Sequence, residues 1–203
     1  MMKKTIVIAA ALLLAATSAF AQKNLSIGAG FNNINNSFKA GDYTTKESLP
    51  GFYAGADVNI MFNDNFGVAP GVYYIMGMTS NSSYFKSSHQ EHYFQIPVAL
   101  NYGTAFGSTV RAFAYTGPVF SFGLINSAKV TSEVLDASKS TNLYGENSSI
   151  SRFNLLWNAG VGIDLFESIR VTAGYDFGLL NRQKDSNVKQ HTSQYHIGVA
   201  YLF

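Results

Sequence analysis

From Leu25 onward, apolar residues recur at every second position in runs of about ten, and the runs are separated by polar stretches. A period of two is that of a β-strand with two unlike faces. Leu25, Ile27, Ala29 and Phe31 against Ser26, Gly28, Gly30 and Asn32 predict a first strand, and Asn33 to Leu49, rich in Asn, Lys, Ser and Thr, predicts a solvated loop. Phe52, Ala54, Ala56, Val58, Ile60 and Phe62 form the apolar face of a second strand, which ends at the turn Asn63-Asp64-Asn65. Phe66, Val68, Pro70, Val72, Tyr74, Met76 and Met78 form that of a third, followed by a polar loop over Thr79 to Gln90. A fourth strand carries His92, Phe94, Ile96, Val98, Leu100 and Tyr102 on one face and Glu91, Tyr93, Gln95, Ala99 and Asn101 on the other. After a short turn from Gly103 to Ser108, a fifth strand has Val110, Ala112, Ala114, Phe120, Phe122 and Leu124 on its apolar face, and Ile125 to Ile150 is the longest polar loop. Phe153, Leu155, Trp157, Ala159, Val161, Ile163 and Leu165 mark a sixth strand, and Phe166-Glu167-Ser168 turns the chain. Ile169, Val171, Ala173, Tyr175, Phe177 and Leu179 mark a seventh, Asn181 to Gln190 a last loop, and His191 to Phe203 an eighth.

The connections alternate strictly between long and short. Eight strands of about ten residues, with short turns at one end and long loops at the other, predict an all-β fold: an antiparallel up-and-down transmembrane barrel of the outer-membrane type. An even strand count leaves both termini on the periplasmic side.

Composition narrows this picture. Charged residues make up 13% of the chain, against about 25% in ordinary soluble domains. A soluble exterior needs charge, so much of this exterior is expected to lie outside water. The formal net charge of +2 comes from Lys3 and Lys4, and the remainder is balanced, which argues against a nucleic-acid partner. There is no cysteine, hence no disulfide framework and no thiolate metal site. Residues 1–21 have a basic start, an apolar run from Ile6 to Ala16 and the small-x-small motif Ala19-Phe20-Ala21. They predict a signal peptide cleaved between Ala21 and Gln22, leaving a barrel domain over 22–203. Nothing after Ala21 is long and apolar enough for a membrane helix, so a membrane form requires a closed barrel, in which every backbone group is paired.

A soluble, lipocalin-like carrier would show the same strand count with its apolar face inward. Here the polar faces hold Gly, Asn, Gln and Ser together with the charges Asp57, Glu91, Arg111, Arg152, Asp164, Arg170 and Asp176. These are too few to solubilise an exterior but suit a paired, plugged interior. Asp164 and Arg170 are equidistant from Glu167 across the sixth-to-seventh turn, so they are expected side by side, with Arg111 at a similar height and Asp57 in the same cluster. Pairing of this kind is expected wherever charge is buried, without any catalytic role. Pro70, Pro97 and Pro118 sit inside strands and predict local bulges.

Tyr93-Phe94-Gln95-Ile96-Pro97-Val98-Ala99-Leu100-Asn101-Tyr102 and Ala112-Phe113-Ala114-Tyr115-Thr116-Gly117-Pro118-Val119-Phe120 resemble the PorT-type family of bacterial outer-membrane β-barrels. Gly51-Phe52-Tyr53-Ala54-Gly55, Asn158-Ala159-Gly160-Val161-Gly162 and Gly174-Tyr175-Asp176-Phe177-Gly178-Leu179 extend the likeness over nearly all of the chain after the leader. The resemblance implies an eight-stranded barrel in which Pro97 and Pro118 are tolerated. It implies no activity, and the secretion role of the member that names the family is not carried over.

Candidate chemistry is sparse. His89, Gln90, Glu91 and His92 lie at a loop rim, but Glu91 and His92 point to opposite faces, and no metal site is expected. His191 and Ser193 share an outward face near the loops. A similar His-x-Ser pair occurs in lipid A deacylases, with Ser193 as nucleophile and His191 as base, yet no acid is evident on that face. Asp176 and His196 share the inner face and are expected to pair, mainly to satisfy two buried groups. Phe62, Phe66, Tyr102 and Tyr201 at the periplasmic ends, and Phe94, Phe120, Phe122, Phe153 and Phe177 nearer the loops, are expected to form two aromatic girdles. Phe203 is expected to serve the barrel-assembly machinery during insertion. The sequence therefore predicts a small outer-membrane barrel with a plugged polar lumen, no cofactor and no catalysis. Its surroundings would be lipid and lipopolysaccharide, and an unidentified protein partner would meet its extracellular loops. A lipid A-modifying enzyme, a lipocalin-like carrier and a weak channel are the alternatives.

Overall fold

A computed structural model describes residues 25–82, 85–107, 109–132, 137–144, 150–184 and 188–203. Among these residues every helix or strand assigned is a strand: β1 (Leu25–Ala40), β2 (Tyr43–Val58), β3 (Ile60–Met61), β4 (Phe66–Ser82), β5 (Phe85–Phe106), β6 (Val110–Ser132), β7 (Ala137–Asn142), β8 (Phe153–Leu165), β9 (Ile169–Gly178) and β10 (Val188–Leu202). Neighbours pair antiparallel in the order β2-β1-β10-β9-β8-β6-β5-β4, and β2 pairs with β4, so the sheet closes on itself. β3 continues β2 past Asn59, and β7 pairs antiparallel with the upper part of β6 alone, which leaves eight staves around the ring.

The side-chain alternation is that of a membrane barrel. Ile27, Phe52, Val161, Ile197 and Val199 are exposed on the outside, while Asn32, Gln95, Asn101, Asn154, Asp164 and Asp176 are buried within. An oily exterior over a polar interior excludes the lipocalin-like arrangement. The leader and its Ala21–Gln22 junction lie outside the described residues.

Three of the stretches read as loops are largely strand. β1 runs on to Ala40 and pairs with β2 from Tyr43 through a turn at Gly41, whose φ is 60°. β4 and β5 continue beyond Thr79 and Gln90, and β6 reaches Ser132. Above the membrane the outer face of a hairpin meets water and carries polar residues, so the two-residue signal disappears although the backbone ladder persists.

The prolines also differ from expectation. Pairing passes from Pro70↔Val98 to Tyr73↔Gln95, and from Pro97↔Val119 to Leu100↔Thr116, with the register unchanged on each side. The ladder skips the positions that lack a donor instead of inserting a residue. The one recorded bulge lies higher, where His92 faces Ile125 and Tyr93 faces Gly123. At the periplasmic end the three-residue turn between Leu165 and Ile169 carries consecutive positive φ values at Phe166 (54°) and Glu167 (56°), and the Ser168 N–H donates to the Leu165 carbonyl at 3.1 Å.

Candidate functional site

The lumen is filled in layers, and each layer follows from strand register. At the periplasmic end β8 and β9 pair Asp164 with Arg170, and β6 and β8 pair Arg111 with Asp164. Arg170 grips Asp164 through Nε to Oδ1 at 2.7 Å and Nη2 to Oδ2 at 3.0 Å. Its Nη1 reaches Asp57 Oδ1 at 3.5 Å, and Arg111 Nη1 reaches Asp164 Oδ2 at 3.4 Å. Both guanidinium groups lie over the Phe113 ring, at 4.8 Å for Arg170 and 5.3 Å for Arg111. The Tyr73 hydroxyl donates to Asp57 at 2.5 Å. Two carboxylates and two guanidinium groups thus neutralise one another beneath the barrel, facing an open vestibule of about 490 Å³.

Above them Tyr115 and His196 Nε2 are 3.1 Å apart, and His196 Nδ1 lies 3.8 Å from Asp176. Asp176 accepts from Asn158 and, at 2.5 Å, from Gln194, whose amide also donates to Gln95 at 3.0 Å. These groups border a cavity of about 120 Å³ together with Tyr53, Phe113 and Asn32. That is room for about four waters at ~30 Å³ each. Higher still the lumen becomes apolar: Ile34, Leu49, Ile75 and Tyr93 pack together. Ile34 and Leu49 belong to the segment read as a loop, which is why a wholly polar interior was expected.

The extracellular end is closed by residues the sequence did not single out as a group. Arg182 comes from the segment between β9 and β10, is 0% exposed, and enters the mouth from above. It donates to the Tyr93 hydroxyl at 2.8 Å, to Thr192 Oγ1 at 3.0 Å and to the Tyr144 hydroxyl at 2.5 Å. Glu91, also fully buried, lies 3.9 Å from it and accepts from Asn126 at 2.8 Å, from Asn36 at 3.2 Å and from Tyr93. Burial opposes the charge on Arg182, but Tyr93, Glu91 and Tyr144 outweigh it and hold its pKa above the ordinary guanidinium value. The backbone fixes the entry point: Arg182 donates its N–H to Gln190, and its carbonyl accepts from Ser151. Gly123 leaves space for the ring of Tyr144, whose hydroxyl would sit 2.1 Å from a Cβ there.

The remaining candidates are placed as follows. His89 faces inward and contacts Glu47 and Asn126, both at 2.8 Å, while His92 faces outward against Tyr74. Glu91 is therefore drawn to the mouth and away from His92. His191 and Ser193 are both on the outer side of β10, opposite Ser37 and Asn35 of β1. Ser193 faces Phe177 on the other flank, so no carboxylate completes a triad in that row. Phe62, Phe66, Tyr102 and Tyr201 are exposed at the short-turn end, as are Phe120, Phe122, Phe153 and Phe177 toward the other, with Phe94 partly covered beside Phe122. Phe203 stacks edge-on against Tyr201 at 4.8 Å, and its N–H bonds to the Leu25 carbonyl.

The family model described as outer membrane protein beta-barrel domain matches residues 20–182. No curated protein matches the chain. Among solved structures, Ail of Yersinia pestis, described in complex with the heparin analogue sucrose octasulfate, is 15% identical, with 89% of this chain and 99% of that one covered at a TM-score of 0.49. Neisserial surface protein A is 16% identical, with 88% and 97% covered at 0.47. OprG of Pseudomonas aeruginosa is 12% identical, with 89% and 95% covered at 0.47.

Proposed function

Because the chain belongs to the outer membrane protein beta-barrel domain family and is an integral outer-membrane protein, we propose that it acts as a sealed, non-catalytic barrel whose extracellular hairpins carry its interactions. The observation that supports this reading most is the double closure of the lumen. Arg170 on Asp164 blocks one end and Arg182 beside Glu91 the other, with a cavity of about 120 Å³ between them. Eight staves leave an interior that side chains fill. What remains to meet a partner is the hairpin set above the girdles. Within the family we place the chain with the PorT-type barrels, on the motifs around Pro97 and Pro118. We further assign residues 1–21 as a cleaved leader, the aromatic rings at both ends as membrane anchors, and Phe203 as the signal read by the assembly machinery.

Cross-linking of intact cells followed by purification of the barrel tests the interaction role. A protein partner is expected to cross-link through the segments above the outer aromatic ring. Steady single-channel conductance from the wild type in planar bilayers would overturn the sealed lumen. A change in the lipid A profile on Ser193→Ala would overturn the absence of catalysis.

A further inference from the structure

On the outer side of the sheet β10–β1–β2, register arranges the side chains in rows that climb away from the membrane. The lowest row is apolar, Ile197, Phe31 and Phe52. Tyr195 stands one row higher, followed by hydroxyl and amide groups, with Ser193, Asn35 and Ser48 side by side. The next row contains His191 and Lys46, both opposite Ser37, and the top row sets Lys39 directly against Lys189. All three lysines and His191 are exposed. None of the three lysines makes an ion pair or hydrogen bond among the described residues, and Glu47, the nearest acid along β2, turns inward to His89.

Like charges directly opposite one another on a sheet are destabilising, so an arrangement with Lys39 against Lys189 and Lys46 one row below calls for an external anion. We infer that this face is a binding site for the phosphate groups of lipopolysaccharide.

Height selects this occupant. A strand rises about 3.3 Å per residue, and at a tilt of about 45° it gains ~2.3 Å of height per residue. The Ser193 row then stands ~5 Å above Tyr195, within the polar headgroup layer of ~5–8 Å. The Lys46 row stands ~9 Å above Tyr195, at the edge of that layer, and the top lysine row ~14 Å above Tyr195, beyond it, from where lysine stems reach back toward the phosphates. The face points sideways, in continuity with the surface that meets acyl chains, so a lipid held there keeps its tails against Phe31 and Phe52 while its sugars meet Ser193 and Asn35. A soluble polyanion would find the same charges but nothing to match the apolar rows beneath. Elsewhere on the outer side, among described side chains, a single lysine, Lys129, stands at comparable height.

This inference rests on the outer-membrane placement, and the test separates the two. The full barrel and its Lys39→Gln/Lys46→Gln/Lys189→Gln variant are compared, each first checked for outer-membrane fractionation and for the mobility shift of a folded barrel on heating. The probes are phosphorylated lipid A, phosphatase-treated lipid A and heparin. The wild type is expected to bind phosphorylated lipid A, and the triple variant to bind it on the order of a hundredfold more weakly, at a factor of about five per lysine. Phosphatase treatment is expected to cause a similar loss, and Lys129→Gln none. Equal binding by wild type and triple variant, indifference to dephosphorylation, or lysine-dependent binding of heparin without lipid A overturns the assignment. Recovery of the wild type in the soluble fraction overturns the placement itself.

Discussion

The two ends of the lumen use one chemistry and two constructions. At the periplasmic end Arg170, Asp164, Arg111 and Asp57 all come from ladder positions: the first three are delivered to one another by the adjacent strands β9, β8 and β6, and Asp57 on β2 meets Arg170 across the lumen. At the extracellular end Glu91 and Tyr93 come from a strand, but Arg182 and Tyr144 are brought in by segments outside the ring. The lower cluster orders no additional backbone when it forms. The upper one must fix two connecting segments, at roughly 1–2 kcal/mol of conformational entropy per residue ordered. The lower set is therefore a device for stability, and the upper set is a device for closure whose opening leaves the barrel intact.

The sharpest way to break this comparison is Arg170→Met. It strips Asp164 of both close hydrogen bonds, and a loss of ~3–5 kcal/mol is expected, read from the urea midpoint of the folded-to-unfolded mobility shift. Adding Asp164→Leu should recover only part of that loss, because Arg111 and Asp57 then lose their own ion-pair partners. A single variant as stable as the wild type would show that the lower cluster is not structural. Next in size is Arg182→Met, which leaves fully buried Glu91 without its cation at a local cost of ~1–3 kcal/mol. It should produce protease cleavage near Tyr144 while the unfolding midpoint moves less than in Arg170→Met, and the bilayer should stay silent because Arg170 still blocks the other end. Protease cleavage near Tyr144 in Arg170→Met but not in Arg182→Met would invert the roles assigned to the two ends.

Gly123→Ala is expected to act more weakly, by ~1 kcal/mol, because the new methyl group displaces a loop-borne ring and not a strand. The expected readout is faster proteolysis near Tyr144 with unchanged barrel stability. The smallest effect concerns His89, which lies above the membrane-spanning part of β5. Burial lowers its pKa, but hydrogen bonds to Glu47 and Asn126 and the nearby Glu91 charge outweigh it, so the net shift is upward. A raised histidine pKa means that its stabilising contribution is fully present below the unfolded value and fades as pH rises through the folded one. Protection factors of amides in the β1–β2 hairpin, corrected for intrinsic base-catalysed exchange, should therefore fall as pH rises from about 6.5, the unperturbed histidine value, and His89→Gln should abolish that fall.

The contrast between the ends also marks what could be read in advance. Asp164 and Arg170 were legible because a hairpin turn is a mirror: residues equidistant from Glu167 must face each other. The two-residue period put Asp176 and His196 on one inner face, where they lie 3.8 Å apart, and Glu91 and His92 on opposite sides. It could not reach Arg182, whose partner Tyr93 is 89 residues away and on a different element. Nor did it reveal that Ile34 and Leu49 point inward above the polar layers, because the outward positions beside them, Asn35 and Ser48, are polar and the segment reads as loop.

By itself, then, the chain's alternation determined the strand count, which face meets lipid, and the charge neutralisation at the closed turns. Those depend on local geometry and on the cost of exposing an apolar face to water or a bare charge to hydrocarbon. The tertiary structure alone decided how far the hairpins rise, how the ladder passes Pro70 and Pro97 without shifting register, and which distant side chains close the mouth. Those depend on where the ring brings separate strands together, a relation no periodicity along the chain encodes.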